Sequence, residues 1–217
     1  MTREENVFLA KKLFTELVFN TAYIEGVNVT FPQTQAIIDG AIVNNVPVSE
    51  IQTVLNLRDA WRYCLDTLDE PLTLDYVCKL NELVSRNESL AWGKLRTGSV
   101  SVSGTDYVPP VPDTAKVSEE LAEISLIQNP KERAAECFCY AVRAQLFWDG
   151  NKRTSTIMAS KILIESGAGL LTIGKSDAVG FNEALTHYYN TNEKEPLKSC
   201  LYSCIKTLGN EPQPVDC

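Results

Sequence analysis

Residues 145–153 read Gln-Leu-Phe-Trp-Asp-Gly-Asn-Lys-Arg, and they hold more chemistry than any other stretch of the chain. One apolar helical period ends near Trp148 and another begins near Asn151. The turn between them supplies Asp149 and Gly150, with Asn151, Lys152 and Arg153 directly behind. Backbone N–H groups at a helix start, the helix dipole and two cations together attract an anion. Asp149 adds a hard oxygen ligand, and Mg²⁺ is usually held by one or two carboxylates together with substrate phosphates. The combination points to a nucleoside di- or triphosphate. The single histidine, His187, lies far along the chain and reads as structural or exposed.

The elements that must position this run are helical. Thr2-Arg-Glu-Glu5 is a capping box opening an amphipathic helix to about residue 25, stopped at Gly26. Thr30-Phe-Pro-Gln33 opens a second helix ending at Gly40, Ser49 caps a third reaching Leu68, and residues 73–87 make a fourth. Helices are expected again over 113–127, from Asn129-Pro130 to about Phe147, over 151–166, from a Ser176 cap to Tyr189, and over 196–208, with a short extended piece at 170–173. Residues 94–110 break the period. They alternate around Val100 and Val102, turn at Ser103-Gly104 and end in Pro109-Pro110, which predicts a short polar hairpin whose free edge can pair with a segment of another chain. Residues 1–208 read as one all-α domain with this β-hairpin, followed by a frayed tail over 209–217.

Composition narrows the partners. With 217 residues and 44% apolar content the chain can build a sizeable core. A net charge of −8 and scattered Lys and Arg argue against nucleic-acid binding, which needs a clustered basic surface. No apolar run is long enough to span a bilayer. The seven cysteines are odd in number, and Cys137/Cys139 and Cys200/Cys204 have no histidine nearby to complete a zinc site. They read as reduced thiols of a cytoplasmic protein.

In the residues quoted first, the chain resembles the Fic family, whose signature is His-x-Phe-x-Asp/Glu-Gly-Asn-Gly/Lys-Arg. Phe147, Asp149, Gly150, Asn151, Lys152 and Arg153 match in register, with Lys152 in the form also seen in Doc toxins. Segment 94–110 resembles the family's flap. Thr21-Ala-Tyr-Ile-Glu-Gly26 resembles its inhibitory helix motif, Ser/Thr-x-x-x-Glu-Gly/Asn. The resemblance implies a helical bundle that transfers AMP from ATP, or part of another nucleotide, to a target-protein hydroxyl with Mg²⁺ or Mn²⁺. It implies that Gly150, Asn151, Lys152 and Arg153 hold phosphates, that Asp149 holds the metal, and that Phe147 anchors the loop. It implies further that Arg96, Thr97, Val100, Val102, Thr105 and Tyr107 clamp the target, and that Glu25, with Thr21 and Gly26, keeps the enzyme off. A homodimer is compatible with the family, although no interface is legible.

Two positions depart from the pattern. Gln145 stands where the family's catalytic histidine takes the proton from the target hydroxyl. A carboxamide cannot take up that proton near neutrality, and losing a positioned base typically costs about 10²–10⁴-fold in rate. Thr156 stands where many members carry a second arginine that pairs with the inhibitory glutamate. Glu25 therefore either pairs with another cation, such as Arg153, or has lost its inhibitory role. Three readings follow: an impaired or altered transferase, a catalytically silent nucleotide- or partner-binding relative of regulatory or antitoxin-like kind, and a plain helical interaction module. Taken alone, the Asp-Gly-Asn turn is also ordinary corner chemistry with solvated charges.

Overall fold

Thr2 opens the chain with the expected capping box: its hydroxyl accepts the Glu5 N–H, and the Glu5 carboxylate accepts the Thr2 N–H. The computed structural model describes residues 1–209, so the expected tail lies, apart from its first residue, outside the described residues. Helix α1 (Arg3–Lys12) is followed by α2 (Phe14–Tyr23), where a single helix was expected. The break is a local bend at Leu13. The N–H groups of Leu13 and Leu17 still reach Leu9 O and Leu13 O, both at 2.9 Å. Gly26, at φ +82°, leads the chain away after α2.

A second capping box, Thr30 with Gln33, starts α3 (Phe31–Ile38). Helix α4 (Val48–Asp66) starts after Pro47, which leaves Ser49 inside the first turn rather than capping it. Thr73, Asp113 and Asn129 then cap α5 (Leu74–Ser85), α6 (Thr114–Ser125) and α7 (Pro130–Ala144) through their side chains. Helix α7 stops short of the expected Phe147 because Gln145 turns left-handed, at φ 45°. After α8 (Asn151–Glu165) come β1 (Leu170–Leu171) and α9 (Ala178–Thr191). Asp177 rather than Ser176 sits at the start of α9, and its carboxylate accepts the Gly174 N–H at 3.2 Å. Helix α10 (Glu195–Ser203) ends earlier than expected, because β2 (Ile205–Lys206) pairs antiparallel with β1, Leu170 facing Lys206 and Leu171 facing Ile205.

The all-α expectation holds: ten helices and this one tiny sheet make up the described secondary structure. The hairpin does not form. Residues 94–110 are extended, with a turn closed by the Thr105 N–H on Val102 O at 3.2 Å and no strand pairing within the segment. Its alternating pattern records which side chains lean on the body, as Val102 does, and not a ladder.

The core is organised around α8. Every residue from Arg153 to Ile164 is buried, the mark of a helix enclosed on all sides. Helices α1, α2, α4, α5 and α7 and strand β1 surround it. The polar residues on this helix bond locally. Ser155 and Thr156 hydroxyls donate to Asn151 O and Lys152 O, and the Lys161 ammonium donates to Leu68 O and Glu165. Trp61, fully buried, donates its indole N–H to Thr21 Oγ1 at 3.2 Å. No helix among the described residues is long and apolar enough to cross a membrane. The fold therefore carries one buried helix whose first turn emerges at the 145–153 bend.

Candidate functional site

The bend is set by its own residues. Asn151 accepts the Phe147 N–H at 2.8 Å and donates to Phe147 O at 2.8 Å and to Gln145 Oε1 at 3.1 Å. Phe147 itself is buried in the core. Gly150 takes φ +73°, and a β-carbon there would lie 2.9 Å from Val84 Cγ1. Both the conformation and the space demand glycine. From α5, Asn81 donates to Asp149 O at 3.0 Å and to Thr154 Oγ1 at 3.3 Å. Because Gly150 is the N-cap, no side chain caps α8. The leading amides of that buried helix have no side-chain cap, and the dipole favours an anion there.

Five charged side chains crowd this helix start. Arg153 is only 3% exposed. Its Nη1 donates to Glu88 Oε2 at 2.6 Å and to Val84 O at 3.3 Å, and Nη2 lies 3.3 Å from Asp149 Oδ1. Its Nε is 4.0 Å from Glu25 Oε2, too far for a hydrogen bond, and is buried without a partner. Lys152 Nζ donates to Ile24 O at 2.5 Å and stands 3.7 Å from Glu25 Oε1, another buried atom without a hydrogen bond. Burial pushes the Glu25 carboxyl above its usual range, with Lys152 and Arg153 opposing. Burial works to lower the Arg153 pKa, but Glu25, Glu88 and Asp149 outweigh it and hold the guanidinium charged.

A cleft of about 400 Å³ opens beside Glu25, Asp149 and Lys152, with Arg153 buried behind them and outside its lining. Glu25, Gln145, Asp149 and Lys152 form one side, Val102 of the flap segment another, and Asn182, Leu185, Thr186 and Tyr189 of α9 the far wall. Gln145 is fully engaged: Nε2 donates to Val142 O at 2.8 Å and to the Tyr189 hydroxyl at 3.0 Å, while Oε1 accepts from Asn151. Burial raises the Tyr189 phenol, with the Gln145 contact opposing, so neither group takes a proton near neutrality. A larger hollow of about 640 Å³ lies beyond Tyr189, bordered by Tyr107 and Arg143. It holds none of the loop residues, so the smaller cleft is the candidate site.

The flap residues separate into two groups. Arg96 is 1% exposed and is no target contact. Its guanidinium donates to the carbonyls of Gln145, Gly98, Pro109 and Pro110 at 2.5–3.2 Å, pinning both ends of the flap to the loop. Thr97 is exposed, and Val100, Val102, Thr105 and Tyr107 are half-buried. Tyr107 stacks on Tyr189 at 5.9 Å, with the Arg143 guanidinium 3.9 Å from its ring centre. Gly98 admits Trp148, whose ring would meet a β-carbon there at 2.8 Å. Of the N-terminal trio, Glu25 reaches the cleft, Thr21 serves Trp61 and Gly26 ends the turn. Sequence reasoning missed Asn81, Glu88 and Tyr189, which lie in runs with no recognisable spacing to the loop. Among the described residues there is no cluster of three or more His, Cys, Asp or Glu, so a divalent ion here would rest on Asp149 and phosphate oxygens.

Residues 71–163, which run from before α5 into the last turn of α8 and include the flap and loop, match the sequence model of the Fic/DOC family. Over this segment the chain is similar to Fic/DOC domains. It is 28% identical over 186 residues to the protein adenylyltransferase Fic of Nematostella vectensis, covering 81% of this chain and 43% of that protein. The chain thus spans less than half the length of the curated relatives it matches. Among solved structures, a Fic-domain signaling protein from Bacteroides thetaiotaomicron superimposes with a TM-score of 0.78 at 18% identity, over 94% of this chain and 87% of that one. Fic-1 from C. elegans gives 0.76 at 23% identity, over 88% and 59%. At these identities the superpositions establish the Fic fold. Glu25 lies outside the matched segment, so its role rests on the geometry above.

Proposed function

We propose that this Fic domain binds a nucleoside triphosphate in the cleft before α8 and descends from enzymes that transfer AMP from ATP to a hydroxyl of a target protein. The observation that carries the reading is the buried Arg153 Nε, a charged donor with no partner, beside the uncapped start of α8. A phosphate oxygen is the group that both are built to meet. The Glu25 carboxylate stands close by without closing a hydrogen bond to either cation, so it is displaceable. In this chain Lys152 and Arg153 take up the pairing with Glu25 that Thr156 cannot make, and Glu25 blocks the terminal phosphates.

Asp149, with 44% of its side chain exposed at the cleft, fits the role of carboxylate ligand to Mg²⁺ or Mn²⁺. Bound there, the ion would neutralise phosphate charge. The chain's own residues do the remainder. Arg153 and the α8 amides fix the phosphates, Val102 and α9 enclose the nucleoside, and the 97–107 segment receives the target. Gln145 orients the loop but moves no proton, so transfer by the natural chain is slow. The six described cysteines are free thiols, which suits a cytoplasmic setting, and a homodimer agrees with the family. The unit that works is residues 1–208.

Replacing Gln145 by His together with Glu25→Gly tests this. The double variant should acquire nucleotide on itself, seen as an added mass of AMP, at a rate about 10²–10⁴-fold above that of Glu25→Gly alone. A double variant that neither binds ATP nor gains mass would refute the reading. The saturated hydrogen bonding of Gln145 favours one second reading, a nucleotide-binding Fic relative that performs no transfer. Its mark is calorimetric Mg–ATP binding by Glu25→Gly with no label on any protein of a cell lysate.

A further inference from the structure

The Arg153 guanidinium has two edges in different surroundings. The inner side, Nη1, is saturated by Glu88 Oε2 at 2.6 Å and Val84 O at 3.3 Å, and neither residue lines the cleft. The outer edge, Nε with Nη2, faces Glu25 and Asp149, which both line it. That outer edge is under-satisfied: Nε has no hydrogen bond and Nη2 only a 3.3 Å contact. Side-on Nε and Nη2 present two parallel donors, the geometry that grips two oxygens of one phosphate.

Something must hold the guanidinium in this orientation once Glu25 moves away, since Glu25 is one of the partners on the outer edge. Glu88 is placed to do so. It follows α5, 65 residues before Arg153 in sequence, and only 13% of its side chain is exposed. Its other oxygen, Oε1, accepts from Asn56 Nδ2 at 2.6 Å, and Asn56 also donates to Arg86 O at 2.8 Å. Asn56 sits on α4 and is buried, so Glu88 is fixed from behind by a helix that takes no part in the cleft. The series Asn56–Glu88–Arg153 is therefore a brace running from the core to the phosphate side.

We infer that Glu88 is a positioning residue: held by Asn56, it turns the Nε/Nη2 edge of Arg153 toward Glu25 and Asp149 at the cleft wall and reserves that edge for a nucleotide's phosphates. The inference rests on the proposed nucleotide site and adds to it the residue that orients the phosphate fork. Glu25 and Glu88 then have opposite duties toward one arginine. Glu25 is the exchangeable partner at the front, and Glu88 is the permanent partner at the back.

The test is calorimetry on the full chain carrying Glu25→Gly, titrated with Mg–ATP and, separately, with adenosine. Glu88→Ala in that background should weaken Mg–ATP binding about 10- to 100-fold, the effect of misdirecting a charge-assisted phosphate contact, and leave adenosine affinity within about twofold. Glu88→Gln keeps the shape and a hydrogen bond and should recover part of the loss. Asn56→Ala, which frees Glu88 without touching Arg153, should weaken Mg–ATP in the same direction by less. Thermal unfolding of each variant checks that it is folded. Equal Mg–ATP affinity in Glu25→Gly with and without Glu88, or parallel losses for ATP and adenosine in folded variants, would overturn the inference. Failure of Glu25→Gly itself to bind Mg–ATP would instead bring down the nucleotide site on which it rests.

Discussion

The 145–153 loop and the 94–110 flap lie on facing sides of one cleft and are built in opposite ways. The loop is over-determined. Asn151 makes three bonds across it, Asn81 ties it to α5, and Gly150 admits no other side chain. The flap is fastened at its ends by Arg96 and leans on the body through Val102 and Tyr107, and its extended backbone pairs with no strand. Under the proposed function, the contrast means that the phosphate side is assembled before any ligand arrives, whereas the acceptor side is left for a partner to complete. Preorganised groups cost little further ordering on binding, and unpaired extended backbone is what strand addition uses.

The comparison breaks most sharply at Asn151. Asn151→Ala removes both ends of the loop's internal clasp and leaves the Phe147 N–H and carbonyl buried without partners. It should cost about 2–4 kcal/mol in urea unfolding and abolish Mg–ATP binding. A loss below about 0.5 kcal/mol would mean that the loop is held by something else. At the flap, Tyr107→Ala removes one stacked ring and one cation–π contact and should cost under about 1 kcal/mol. Its visible effect should be faster amide exchange over residues 98–107, with the loop amides unchanged. Equal acceleration in both regions would show that flap and loop move as one body.

The smallest effect sharpens the electrostatic side. Burial raises the Glu25 carboxyl pKa above its ordinary value of 4.5. The folded state therefore binds the proton more readily than the unfolded state. The stability this supplies is whole below pH 4.5 and is lost as pH climbs through the raised folded value. Glu25→Gln has no such titration, so its Tm should gain on that of the natural chain as pH rises across that window. Parallel curves would place Glu25 in water rather than against the cleft wall.

Much of this was legible in the chain because it is local. Thr2 with Glu5, Thr30 with Gln33, and Asn129 before Pro130 each act within one turn, and each cap forms as the spacing indicates. The burial of Phe147 and the start of α8 at Asn151 are likewise set by neighbours. Ser49 and Ser176 misled for the same local reason: a hydroxyl near a helix start caps only if the backbone enters there, and Pro47 and Asp177 take those places. The flap misled because alternation reports one-sided contact and not a paired edge. Arg96 carried no sign that its charge would be spent on backbone carbonyls. Glu88 and Asn81 were silent because their partners, Arg153 and Asp149, lie 65 and 68 residues away, a distance that only the packing of α5 against α8 closes.

The most direct measurement is the structure of crystals of the Glu25→Gly chain soaked with Mg–ATP. The account expects the phosphates against the first turn of α8, with Arg153 Nε and Nη2 on phosphate oxygens and the metal ion on Asp149. A triphosphate bound elsewhere, or Arg153 Nε and Nη2 still without phosphate contacts at saturating nucleotide, would contradict it.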